Sequence, residues 1–179
     1  CGAMDSYSFR IGNALLKNKE DAAGIEMTMK GGTFRFRTTT SFVITGADMG
    51  ATLDGENVPM YTVIQAAPMQ VLKFGNCKKG MRTYLLVAGG IQVPKVMGSS
   101  STFVDGKFGG HNGRTLRTGD VLQLTKECHI CSVESFPSEY TPKLTNNWTI
   151  GVIPGPQPTA EYLKPEYLDC LLYTSDAAD

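Results

Sequence analysis

The apolar positions follow two periods along this chain, and the change between them marks its organisation. Tyr7, Ile11, Ala14 and Leu15 recur at i, i+4, i+7 and i+8, which places them on one helical face and predicts a helix near the start. Asp5 and Ser6 precede it as N-cap residues, because a short side-chain oxygen accepts a free backbone N–H. Arg10 and Asn13 fall off this stripe, and the pattern stops near Asn18. The period then becomes two. Ile25, Met27 and Met29 alternate with Glu26, Thr28 and Lys30, and Gly31-Gly32 is read as a turn. Phe34 and Phe36 share a face in Thr33–Arg37, and Ser41–Thr45 is a short apolar strand. Asp54-Gly55 after Leu53 predicts a hairpin, since a type I′ turn needs positive φ, with Val58–Val63 returning. Gln70–Phe74, Thr83–Ala88 and Val121–Leu124 complete about eight strands. Thr125–Thr149 lacks periodicity and reads as a connection, and Ile150–Ile153 reads as a new strand. The expected fold is mainly β with one N-terminal helix.

Composition sharpens this. Twenty glycines and nine prolines in 179 residues imply many tight turns. Lys+Arg and Asp+Glu are both 17, so the formal charge is +0 and gives no reason to expect nucleic acid or an anionic membrane as partner. The longest apolar run, Tyr84–Ile91, falls well short of the roughly 20 residues of a membrane span. Five scattered cysteines look reduced and cytoplasmic rather than like a disulfide framework.

Few single motifs carry chemistry. Cys128-His129-Ile130-Cys131 is a lone CxxC, and His111 is the other histidine, too few ligands for a structural zinc site, so no metal is expected. Gly109–Arg114 is glycine-rich but lacks the Lys-Ser/Thr ending of a phosphate loop. Gly98–Thr102 is rich in hydroxyls without matching a nucleophile elbow. Asp48 follows a strand as a turn cap or a ligand-binding carboxylate. Glu26 and Arg82 sit on predicted strands, where charge is usually solvated.

An ordered string of motifs says more. It runs Gly2-Ala3-Met4-Asp5, Ser8–Ile11, Thr45–Asp48, Leu53–Gly55, Arg82–Leu85, Val87–Ile91, Val93-Pro94, Gly98-Ser99, Ser101–Phe103, Gly113-Arg114, Gly119-Asp120 and Pro154–Gln157. The string resembles the biotin-dependent carboxyltransferase family, also known as allophanate hydrolase subunit 2 or KipA-like, with a 5-oxoprolinase subunit among its members. The resemblance implies a cyclophilin-like, β-barrel-type subdomain. It implies residues 1–149 as a first subdomain, 150–169 as the start of a second, and 170–179 as a non-native tail resembling sequencing-adapter read-through. It implies a subunit of an ATP-dependent 5-oxoprolinase, inactive alone, with ATP used in the complex. The partners implied are a KipI-like and an amidohydrolase-like subunit, and the substrate is a small amide. Two alternatives accompany it. One is a KipA-like regulator that antagonises a KipI-like kinase inhibitor. The other is a urea carboxylase or allophanate-pathway carboxyltransferase, with biotin on a partner, since no Met-Lys-Met acceptor occurs here.

The overlap of family motifs with suitable chemistry nominates Asp5, Asp48 and Arg82 as catalytic. It nominates Ser99, Ser101, Thr102 and Arg114 as substrate-binding, as donors and a guanidinium fork suited to oxyanion character. Ser100 stands where the family usually has arginine, which removes one cation from that loop.

Overall fold

In the computed structural model, residues 2–126 and 129–145 are described, together with 147, 149, 151, 156 and 166. The chain divides into two compact units, Cys1–Asn146 and Asn147–Asp179, and the elements below all belong to the first. The expected strand Ile150–Ile153, apart from Gly151, and the expected divisions at residues 150 and 170 lie outside the described residues.

Helix α1 spans Ser6–Leu15, and Asp5 caps it by accepting the Ser8 N–H at 3.0 Å. Its buried face is Ser8, Ile11, Gly12 and Leu15, with Asn13 beside it. The expected stripe is therefore rotated: Tyr7 and Ala14 are exposed. Close packing sets this angle, because a side chain on Gly12 would overlap Leu86. Asn13 is buried because its amide donates to the carbonyls of Glu20 and Ala22 and its oxygen accepts from Asn18.

Eight strands follow among the described residues: β1 Ile25–Thr28, β2 Thr33–Arg35, β3 Thr40–Gly46, β4 Thr52–Leu53, β5 Glu56–Asn57, β6 Ile64–Ala66, β7 Val71–Lys73 and β8 Arg82–Val87. They form two four-stranded antiparallel sheets, ordered β1-β8-β3-β6 and β2-β7-β4-β5. The mainly β fold with one N-terminal helix is thus as the sequence implies.

The first sheet is buried on both faces. Phe42 and Ile44 of β3 and Leu85 and Val87 of β8 join Leu72, Phe74 and Met49 in one core. Val43, Tyr84 and Leu86 join Ile11, Leu15 and Leu16 in the other. Alternate residues of a strand point to opposite faces, so a strand covered on both sides reads as one unbroken apolar run. Every residue of β3 is accordingly buried: the apolar run Phe42-Val43-Ile44 and also the polar Thr40, Ser41 and Thr45.

The Asp54-Gly55 turn has the positive φ values (51° and 96°) that its sequence demands. Its return strand is Glu56–Asn57 rather than Val58–Val63. Pro59 has no N–H for a ladder, and Tyr61 turns left-handed at φ 54°, delivering the chain to β6 in the other sheet. Val121–Leu124 also departs from expectation. Only an isolated bridge, Ile91↔Leu124, forms there; the same antiparallel register brings Pro94, which has no N–H to donate, opposite Val121. At Gly31-Gly32 the left-handed residue is Met29 instead (φ 58°), and Gly31 serves close packing against Phe74.

Candidate functional site

Strand β1, the start of the chain and two loops border a cavity of about 920 Å³. Its floor is apolar, with Met27, Phe34, Ile91, Val93 and Leu122. Gly2, Ala3, Ser6 and Phe9 from the start of the chain form one wall, and residues 98–102 and 110–116 bring the polar groups.

The first polar loop is held by a tight hairpin. Val96 and Ser99 exchange backbone hydrogen bonds of 2.9 and 3.0 Å around Met97 and Gly98, both at positive φ. Ser99 Oγ then accepts the Ser101 N–H at 3.2 Å. The second loop presses glycine backbone against the first: side chains on Gly109 or Gly110 would overlap Ser101 or Thr102. The glycine-rich stretch Gly109–Arg114 is thus a packing device for the hydroxyl loop. No helix directly follows it, as a phosphate loop of the P-loop kind would require.

Arg114 is fixed by a two-pronged pair. Its Nη1 and Nη2 each donate to an Asp120 carboxylate oxygen at 2.8 Å. Asp120 also accepts the Arg117 N–H at 2.8 Å, and His111 Nε2 stands 3.6 Å from it. The guanidinium beside it holds the Asp120 carboxyl well below the usual carboxylate range, and the carboxylate in turn raises Arg114. Three of the five guanidinium N–H groups are used, two on Asp120 and one on the Thr115 carbonyl at 2.9 Å.

Ser99, Ser101, Thr102 and Arg114 therefore meet on one cavity. Asp5, Asp48 and Arg82 do not line it. Asp5 caps α1 and donates its N–H to the Tyr84 hydroxyl at 2.7 Å. Asp48 sits at an exposed turn, accepting the Gly50 N–H at 2.7 Å. Arg82 lies behind the wall, donating from Nη1 to Glu26 at 2.8 Å and to Thr28 at 2.6 Å, while its Nε is buried without a partner. Glu26 itself lines the cavity, as do Lys30 and His111. Alternation along β1 places Glu26 opposite in phase to Met27, but nothing in that pattern tells a cavity wall from open solvent.

Burial raises the Tyr84 hydroxyl to about 12 and keeps it a neutral acceptor for Asp5. In the expected CxxC, Cys128 lies outside the described residues, while Cys131 is buried near the Leu16 carbonyl. No cluster of three or more His, Cys, Asp or Glu suited to a metal occurs among the described residues. No helix among them is long and apolar enough to cross a membrane.

The family model for the carboxyltransferase domain, subdomain A and B, matches residues 1–175. Urea amidolyase of Saccharomyces cerevisiae is 38% identical over 174 residues, covering 94% of this chain and 10% of that protein. A 5-oxoprolinase subunit of Haemophilus influenzae is 40% identical over 134 residues, covering 75% of this chain and 43% of that one. The crystal structure of the K. lactis urea amidolyase superposes with a TM-score of 0.82 at 36% identity, covering 94% of this chain and 11% of that one. The chain thus spans a tenth of the urea amidolyase and less than half of the 5-oxoprolinase subunit.

Proposed function

The chain belongs to the carboxyltransferase family of subdomains A and B, and from that premise we propose that it is part of an enzyme complex acting on a small amide. The proposed reaction is ATP-dependent opening of 5-oxoproline to glutamate. The observation that carries this reading is the meeting of the Ser99–Thr102 hydroxyl loop and Arg114 over an apolar floor. Hydroxyl and guanidinium donors are what an amide carbonyl needs as it gains oxyanion character, and the floor suits an aliphatic ring.

In this reading Ser99, Ser101, Thr102 and Arg114 hold the substrate. Arg82 and Asp5 act one step back, as positioning residues: Arg82 fixes Glu26, and Asp5 fixes the start of α1 beside the cavity wall. Asp48 has no such link to the cavity. Gly109–Arg114 lacks the Lys-Ser/Thr ending of a phosphate loop, and in this reading ATP use is assigned to partner subunits, a KipI-like and an amidohydrolase-like protein.

A second reading is carboxylation of urea with biotin carried on a partner. Its support is the alignment to the urea amidolyase, which covers 94% of this chain against 75% for the 5-oxoprolinase subunit.

The test uses the protein co-expressed with its neighbouring subunits. Glutamate released from 5-oxoproline only with ATP supports the first reading, with Thr102→Ala and Arg114→Lys each lowering kcat/KM about tenfold. Biotin-dependent incorporation of labelled bicarbonate into urea supports the second instead. Neither activity overturns both.

A further inference from the structure

The charges around the cavity cancel with one exception. Three carboxylates line it, Glu20, Asp21 and Glu26. Glu20 is paired with Arg10 at 2.8 Å, Asp21 with Lys95 at 2.6 Å, and Glu26 with Arg82 at 2.8 Å. Arg114 is matched by Asp120. His111 also faces Asp120, its Nε2 3.6 Å from that carboxylate. Lys30 remains. Its ammonium has no ion-pair or hydrogen-bond partner among the described residues. Its backbone is fixed just past the end of β1, by an N–H bond to the Thr28 carbonyl at 2.6 Å and a bridge to Asn76. Lys30 thus lines the cavity from an anchored backbone.

We propose that Lys30 makes this cavity selective for a ligand bearing a carboxylate, so that the site takes a compact anionic amide in preference to a neutral one. This deepens, and rests on, the reading of the cavity as a small-amide site. A wall whose carboxylates are all neutralised presents no repulsion to an anion, and one uncompensated cation gives it a net attraction that a concave, partly apolar site focuses. The hydroxyl loop then serves the amide, the apolar floor the aliphatic body, and Lys30 the carboxylate. A lysine suits this role because its ammonium is a point charge on a flexible stem, able to meet a carboxylate without a fixed fork geometry.

The experiment is calorimetric titration of the 179-residue chain with four probes. They are 5-oxoproline, its uncharged ring analogue 2-pyrrolidone, urea, and acetate as an anion without an amide. The expected result is 5-oxoproline binding about tenfold more tightly than 2-pyrrolidone or urea, a preference cut to about threefold or less in Lys30→Met and kept in Lys30→Arg. About 1 M salt, where the Debye length is about 3 Å, shrinks the preference in the wild type. Lys30 is exposed, so the methionine variant keeps the fold. Neutral amides binding as tightly as 5-oxoproline overturn the selectivity and leave the amide reading standing. So does an unchanged preference in Lys30→Met. Acetate bound through Lys30 with no amide bound keeps the charge selectivity and overturns the amide reading. No binding of any probe overturns both.

Discussion

Arg82 of β8 reaches Glu26 of β1 diagonally across the sheet, Nη1 to Oε1 at 2.8 Å, while its direct partner in register is Thr28. The second Glu26 oxygen accepts the Met4 N–H at 3.1 Å. One carboxylate therefore ties the sheet to the segment that forms a cavity wall. Both side chains are 28% exposed, so the pair itself is worth about 0.5–1 kcal/mol. Glu26→Gln is expected to lower the unfolding free energy by that amount in urea melts. It is also expected to speed amide exchange at residues 4 and 5 more than elsewhere. Uniform exchange across the chain would show that Glu26 does not hold the strap.

Asn13 and Asn18 form a buried amide clamp. Asn18 donates to the Asn13 oxygen at 3.0 Å and to the Val87 carbonyl at 2.9 Å, and it accepts the Gly89 N–H at 2.7 Å. Asn13→Ala strips donors from two backbone carbonyls and the acceptor from Asn18. A cost of about 2 kcal/mol is expected, since buried polar groups left unpaired lose their full desolvation energy. Alanine is the better helix former by up to about 0.7 kcal/mol, so propensity alone predicts stabilisation. The direction of the shift in the urea midpoint decides between the two.

Gly12→Ala poses the same contest in sharper form. Replacing a mid-helix glycine gains about 1 kcal/mol of helix propensity. The added methyl overlaps Leu86 Cδ1 and comes within 3.2 Å of Thr45 and 3.3 Å of Val43. Overpacking of this kind costs about 1–3 kcal/mol, so net destabilisation is expected. Gly12→Ala combined with Leu86→Ala should recover part of the helix gain relative to Leu86→Ala alone, a coupling that a thermal-melt double-mutant cycle reads directly.

Tyr84 links the core to the helix cap. Its folded-state hydroxyl titrates near 12, above its ordinary value near 10, because burial opposes the charged form. A raised folded value means stability that is complete below pH 10 and lost as pH rises towards 12. Tyr84→Phe is expected to flatten that alkaline limb. It also costs about 1 kcal/mol at neutral pH by removing the acceptor of the Asp5 N–H, measured as a shift in the urea midpoint.

The strands with strong local signals were legible from sequence. Asp54-Gly55 fixes its turn by left-handed φ, and the apolar run Phe42-Val43-Ile44 within β3 follows from burial on both faces. What stayed hidden was tertiary in origin. The rotation of α1 depends on Leu86 meeting Gly12, residues 74 positions apart, and no window along the helix contains that contact. Asn13 looked polar and off the stripe because its partners are backbone carbonyls beyond the helix. Val121–Leu124 has a strand's pattern, but the segment opposite it, Ile91–Pro94, ends in a proline that cannot extend a ladder. For the site, motif overlap picked four residues that share the cavity and three that do not. A motif string marks what a fold requires, and a capping aspartate or a strand arginine meets that requirement as readily as a ligand-binding group does. Lys30 belongs to no motif, and its interest arises only once every neighbouring charge is seen to be paired.

The Arg114–Asp120 pair makes an acid-sensitive hinge for the second cavity loop. The folded-state carboxyl of Asp120 lies below its unfolded value of about 3.9. A depressed folded value means stability that is fully present above the unfolded value and lost as pH falls through the folded one. The loss is therefore expected below about pH 4, where the unfolded chain begins to take up the proton first. Asp120→Asn removes this contribution: the variant should be less stable than wild type at pH 7, and the two should converge as the pH falls towards 2. Asp21, lowered by its bond to Lys95, titrates in the same range, but its pair is exposed and weakened by salt. Urea midpoints taken across that pH range in about 0.5 M salt suppress the Asp21 pair and isolate Asp120. A constant gap between Asp120→Asn and wild type at every pH would show that the pair does not carry the acid limb.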